Sequence, residues 1–187
     1  MPPKQRITRE MILERSFAMF SREGMEAVNA RSVAKALNCS TQPIFSYFSG
    51  MEDLKNALEQ KAKETFDFTL TGLIDGGDPI VRIGSAYVRF AAQQPRLFAH
   101  LFLKMSDRVV NPFMEEAQIS DILAKESALN GLTPEQSRAV LTRMTIFAHG
   151  FAAFLAAGQL SESVAQQADQ MLEEAHGSIV ASIRAQQ

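Results

Sequence analysis

The stretch CSTQPIFSYF, residues 39–48, gathers side chains suited to recognition rather than to bond making. It reads as one short helix from Thr41 to about Phe48, with Ser40 as its cap. Pro43 falls in the first turn, where a missing N–H is harmless. Ile44, Phe45 and Phe48, spaced i, i+1, i+4, form the side expected to be buried. Thr41, Gln42, Ser46 and Tyr47 are left outside. Short side chains of this kind let a helix backbone enter a duplex groove about 12 Å wide, where amides and hydroxyls meet base edges and a Tyr hydroxyl reaches phosphate. The positive end of the helix adds to the attraction for phosphate. A polar surface helix in an ordinary bundle would share the pattern, so the surroundings decide between the two.

Such a helix needs a partner to brace it. NARSVAKALN, residues 29–38, supplies one: Asn29 is a good N-cap, Val33, Ala34 and Leu37 share a side, and Asn38 stands where a left-handed residue is wanted. Before it, Thr8 caps a first helix to about Arg22, with Ile12, Leu13, Phe17 and Phe20 at helical spacing and Gly24 as a left-handed stop. After it, SG at 49–50 breaks the chain and a long fourth helix runs from Met51 to about Leu73. Helices around 30–37 and 41–48, joined by a tight turn, make a helix-turn-helix.

Charge follows the same division. Residues 1–50 carry seven Lys and Arg against four Glu, a net of +3, whereas 51–187 carry a net of −5. The chain of 187 residues is 46% apolar and 21% charged, a composition that builds a core. Nine Met and 13 Phe favour an adaptable interior. Cys39 is the single cysteine, so no internal disulfide forms and a reducing compartment is expected. No apolar run approaches about 18 residues and the N-terminus has no signal-peptide pattern, so no membrane span is expected and the protein reads as cytoplasmic.

The remainder is helical in pattern, with no alternating strand. DGGDP at 75–79 is the clearest break. Helices are expected at about 79–93 and 95–104, split at Pro95; 105–118 is irregular; another helix near 119–129 ends at Asn130-Gly131. Thr133-Pro134 opens a helix to about Ala157, and a last one covers about 162–185. The expected fold is all-α, about nine helices: a three-helix head, residues 1–50, joined by the long fourth helix to a helical bundle, residues 51–187.

With the motif in place, residues 11–54, MILERSFAMFSREGMEAVNARSVAKALNCSTQPIFSYFSGMEDL, resemble the DNA-binding head of TetR-family transcriptional regulators without a gap. The resemblance implies roles by position. Asn29 and Arg31 stand where the family contacts DNA from its second helix. Ser40, Thr41, Gln42, Pro43 and Ser46 stand at or beside groove-facing positions, and Tyr47 at a phosphate position. Lys4 and Arg6 suit an N-terminal arm. Two residues depart from the family: Met51 replaces a Lys that touches phosphate, leaving Lys55 one turn later as the substitute, and Asn38 replaces a Gly.

In the second half, AYVRFAAQQPRLFAHLF (86–102) and IFAHGFAAFLAAGQL (146–160) resemble a C-terminal domain type of that family, in which a His-Gly pair follows a Trp; here Phe147 takes the Trp position. Tyr87, Phe90, Phe98, Phe102, Met105, Phe113, Met144 and Phe147 are candidate linings of a small-molecule pocket, or simple core. Stripes through Val140, Met144, Phe147, Phe151 and Leu155, and through Val164, Ala168, Met171, Leu172, Ala175, Ile179 and Ile183, fit either an intramolecular core or a two-fold four-helix interface between subunits. A dimer sets its heads about one duplex turn apart (~34–36 Å) or at a longer periodic spacing, and so reads a pseudo-palindrome.

No Gly-rich phosphate loop, no defensible Ser/His/Asp grouping and no paired acid–base motif stands in the chain, so an enzyme is not expected. His100, His149 and His176 are scattered without a Cys or carboxylate cluster, so neither metal nor cofactor is expected and His149 reads as a core or interface histidine. The resemblance implies a homodimeric, ligand-responsive regulator, a repressor released by a small apolar ligand. The alternatives are a DNA-binding regulator without an effector and, from another class, an all-α carrier or enzyme.

Overall fold

The computed structural model describes residues 7–71, 78–103 and 129–185, and everything in them is helix or connecting turn. The chain divides into two compact units, residues 1–66 and 67–187.

In the first unit, α1 (Arg9–Glu23) starts where Thr8 Oγ1 accepts the Met11 N–H at 3.2 Å. Ile12, Ser16 and Phe20 recur at i+4 and are fully buried. The helix stops at Gly24, whose N–H still reaches the Phe20 carbonyl at 2.9 Å. Gly24 has φ 94° and ψ 166°, so the stop is not the left-handed cap expected from sequence but an extended conformation open essentially to glycine alone. A single 3-10 turn, Met25–Ala27, follows.

α2 (Ala30–Ala36) begins with a reciprocal capping box: Asn29 Oδ1 accepts the Ser32 N–H at 3.0 Å, and Ser32 Oγ accepts the Asn29 N–H at 3.1 Å. It ends with Asn38 at φ 52°. There the Asn38 N–H bonds Lys35 O at 3.1 Å and the Cys39 N–H bonds Ala34 O at 3.0 Å, the paired bonds of a Schellman turn. α3 (Gln42–Tyr47) is shorter than expected at both ends. Its N-cap is Thr41, in αR conformation, and no side chain caps it, so Ser40 does not serve as the cap. Phe48 has already left the helix at φ −123°, ψ 134°.

α4 (Met51–Thr71) buries Leu54, Leu58, Ala62 and Phe66, one per turn. That stripe carries the first compact unit past residue 50 to Phe66. On its flank Lys61 reaches Glu14 of α1 at 3.3 Å and sits 5.4 Å from the Phe17 ring centre.

In the second unit, α5 (Pro79–Gln93) is capped by Asp78, whose Oδ1 accepts the Ile80 and Val81 N–H groups at 2.9 and 3.2 Å. α6 (Pro95–Phe98) does not continue as the regular helix expected to 104 but widens into a π-type turn over Ala99–Leu103. α7 (Pro134–Ala156) opens with a Thr133/Gln136 capping box and closes at Gly158, φ 68°, with a second Schellman pair, Gln159 N–H to Phe154 O at 2.9 Å and Gly158 N–H to Leu155 O at 3.0 Å. The expected last helix is two: α8 (Glu162–Gln166), capped by Ser161, and α9 (Ala168–Arg184). Between them Gln167 tightens into an i→i−3 bond to Val164 O at 3.1 Å.

α5, α7 and α9 pack on one another and hold the core of this unit. Gly84 marks the crossing: a Cβ there would stand 3.2 Å from Leu172 Cδ2 on α9 and 3.8 Å from Ala148 Cβ on α7. Against the expectation that no apolar run reaches membrane-spanning length, α7 is long and apolar enough by length and composition alone. Its stripe of Val140, Met144, Ala148 and Ala152 is buried in the bundle. The irregular stretch expected at 105–118 and nearly all of the helix expected near 119–129 lie outside the described residues.

Candidate nucleic-acid interface

α3 advances roughly 100° per residue, so Gln42 and Ser46 stand opposite Ile44, with Phe45 on one shoulder and Tyr47 on the other. Ile44 is fully buried and Phe48 nearly so, while Gln42, Ser46 and Tyr47 are exposed and Thr41 and Pro43 half-buried. The outer face expected from the sequence is present. Phe45 is the correction: expected on the buried side, it is 51% exposed. The reason is that Phe45, next in sequence to the buried Ile44, lies about 100° round the helix from it, on a shoulder rather than on the inner side.

The polar groups on this face are not all equally available. Ser46 Oγ donates back to the Gln42 carbonyl at 3.0 Å, which leaves its lone pairs outward as acceptors. The Gln42 amide makes no hydrogen bond among the described residues and offers both donor and acceptor. Tyr47 Oη donates to the Ile7 carbonyl at 3.2 Å. Arg9 lies 4.9 Å over the Phe48 ring. These two contacts, which sequence spacing gave no sign of, fasten the start of the described chain beside α3. Lys4 and Arg6 lie outside the described residues.

Asn29 is exposed, but its amide is engaged at the α2 cap: Oδ1 with Ser32 and Nδ2 with Ala27 O at 3.5 Å. Arg31, one residue into the same turn, is exposed and free of partners among the described residues. Ser40 is exposed in the turn between α2 and α3. Met51 and Lys55 are half-buried on the first turns of α4, where Ser49 is tied by its N–H and hydroxyl to Asp53 Oδ2 at 2.9 and 3.2 Å. The surface thus presents an amide, hydroxyl acceptors, one guanidinium and an aromatic ring, the set that reads base edges and grips phosphate.

The second unit holds a few polar groups inside. Tyr87 Oη and His149 Nδ1 are 2.8 Å apart. Tyr87 stacks edge-on with Phe98 and with Phe102, each at 5.1 Å, and the two phenylalanines are 5.3 Å apart. Burial raises the Tyr87 hydroxyl above its usual range and lowers His149, so both groups are held neutral. Of the candidate pocket residues, Tyr87, Phe98 and Phe102 come together; Phe90 is fully buried on α5, and Met105 and Phe113 lie outside the described residues. Met144 instead lines a separate cavity of about 20 Å³ with Ile80, Ile83, Gly84, Leu141, Thr145 and Ala148, room for about one water. Phe147 is half-buried and does not line it.

The candidate interface residues also divide. Phe151, Ala168 and Leu172 are buried within the subunit, and Leu172 completely, against Gly84 of α5. Leu155, Val164, Met171, Ala175 and Ile179 are half-buried. Sequence reading missed one further contact: His176 on α9, almost fully buried, bonds Asp78 Oδ2 through Nδ1 at 2.8 Å. An acidic N-cap in DGGDP was the visible half of that pair.

Comparison with known proteins agrees with this arrangement. The family described as bacterial regulatory proteins, tetR family, matches residues 12–58, and the tetracyclin repressor-like C-terminal domain matches residues 80–177. YobS of Bacillus subtilis (strain 168), an uncharacterized HTH-type transcriptional regulator, is 22% identical over 160 residues, 83% of each chain. In fold, the chain is similar to a TetR-like transcriptional regulator from Rhodococcus sp. RHA1, with TM-score 0.62 and 16% identity over 94% of this chain and 99% of that one. A second Rhodococcus sp. structure assigned to the family gives TM-score 0.65 at 14% identity, covering 92% and 98%. With a helix-turn-helix whose amide and hydroxyl face is exposed and a matched C-terminal bundle behind it in sequence, the chain belongs to the TetR family of transcriptional regulators, DNA-binding proteins and not enzymes.

Proposed function

We propose that this regulator is a homodimeric repressor in the cytoplasm, released from a pseudo-palindromic operator by a small apolar ligand. Residues 1–50 read the DNA, and residues 51–187 bind the ligand and pair the subunits. Gln42 and Ser46 face base edges, Arg31 and Lys55 face phosphate, and Tyr47 holds the arm that carries Lys4 and Arg6.

The observation that carries the effector reading is the Tyr87–Phe98–Phe102–His149 cluster, an aromatic environment with one neutral hydrogen-bonding pair inside it. Apolar ligands are held in such places by ring contact and oriented by a few polar atoms. Support for the dimer comes from α7, where Ile146 and Phe154 are 67% and 54% exposed and Gly150 between them faces open space. A ligand releases DNA only by favouring the subunit arrangement that DNA does not; tenfold loss of affinity needs about 1.4 kcal/mol of preference.

The small size of the cavity beside Met144 favours a second reading, a DNA-binding regulator with no small-molecule effector. One experiment separates them: select bound DNA from a random pool with the full chain, then compete with small aromatic and aliphatic molecules. Release from a two-fold operator by such a molecule supports the proposal. Tight binding that no candidate weakens, with no thermal stabilisation by any, favours the second reading.

A further inference from the structure

Phe45 is an anomaly in the recognition helix. Single exposed apolar residues are ordinary on protein surfaces. Here the ring stands on the shoulder of the Gln42–Ser46 ridge, which is the part of the head that enters the groove. It has no aromatic or cationic partner among the described residues. The opposite shoulder differs: Tyr47 is engaged with the Ile7 carbonyl. Of the two aromatics flanking the ridge, only the one without a hydroxyl is open to a partner. A phenyl ring accepts no hydrogen bond of consequence from a base and donates none to phosphate. The major groove presents one apolar group, the C5-methyl of thymine, and phenylalanine is a side chain that packs on it.

We propose that Phe45 is a specificity-determining residue that reads the 5-methyl group of a pyrimidine in each operator half-site, one step to the side of the base pair faced by Gln42. The proposal rests on the DNA-binding reading of α3. Thymine is the unmodified source of that methyl; 5-methylcytosine carries the same group on a G·C pair.

The test uses the full chain and the operator obtained by selection from random duplex DNA. Each thymine of one half-site is replaced in turn by deoxyuridine, which deletes the methyl and leaves every hydrogen-bonding group in place. One position is expected to weaken binding by about fourfold, the worth of one buried methyl. Phe45→Ala should bind more weakly overall and no longer distinguish thymine from uracil there, while Phe45→Leu keeps part of the discrimination. Because the side chain is exposed, both variants should melt with the parent. At the same position, exchange of T·A for C·G should weaken binding, and 5-methylcytosine should restore part of the loss. Equal binding of all uracil-substituted operators, or discrimination that survives in Phe45→Ala, overturns the assignment to Phe45 while leaving DNA recognition by α3 intact. Failure to select any sequence removes the DNA-binding reading and this proposal with it.

Discussion

In the head, the amide of Gln42 and the hydroxyl of Ser46 stand on the surface, above a core of Ile12, Phe20, Val33, Ile44, Phe48 and Leu54 that is apolar apart from Ser16. In the body, Tyr87 and His176 are buried and His149 half-buried, and each bonds a partner from another element. The two regions meet different needs. A duplex is a partner of fixed shape, so recognition calls for outward groups on a short rigid rod. The buried pairs of the body tie α5 to α7 and to α9, where an unmatched polar atom would cost about 1–3 kcal/mol.

Substitutions at five positions test this contrast, and the largest effect belongs to the head core. Phe48→Ala should lower stability by about 3–5 kcal/mol, seen as a fall in denaturation midpoint with loss of DNA binding. A midpoint unchanged from the parent would mean that the ring does not brace α3. Next comes Asp78→Ala, which uncaps α5 and leaves the His176 N–H buried without its acceptor. The two losses together come to about 2–4 kcal/mol. Asp78→Asn should recover the cap and much of the bond, so equal damage from both variants would count against a hydrogen-bonding role.

Gln42→Ala carries the contrast to the surface. It should weaken operator binding by about 1–3 kcal/mol and relax preference at one base pair, with the melting temperature within a degree or two of the parent. If it destabilises the fold instead, the outward assignment is wrong. The smallest effect is expected at Tyr87→Phe, about 1 kcal/mol, from removing the hydroxyl partner of His149. His149 also gives this pair a pH signature. Burial holds its pKa below the ordinary 6.5, so the unfolded chain takes up the proton first. The stability conferred by the neutral ring is complete above 6.5 and is lost as pH falls through the folded value. His149→Gln should flatten that slope in thermal melts taken from pH 7.5 downward.

What the sequence disclosed was what local chemistry determines. Thr8, Asn29 and Thr133 cap where their side-chain oxygens meet N–H groups three residues on, and Asn38 takes the left-handed position because its neighbours need it. Phe45 was misplaced because its place beside Ile44 in sequence sets it about 100° round the helix, on a shoulder left exposed. The break at Gln167 and the wide turn at Ala99–Leu103 carry no Gly or Pro to announce them. Tyr47 with Ile7, Tyr87 with His149 and Asp78 with His176 join residues far apart in sequence, where spacing has nothing to say.

Asp78 has one further consequence. Its two oxygens serve different masters, one the open end of α5 and the other an imidazole on α9. Sliding α9 along its axis would therefore unseat the first turn of α5, and rotating α5 would pull on α9. The two helices are tied at that carboxyl, so neither shifts without breaking a bond on which the other depends.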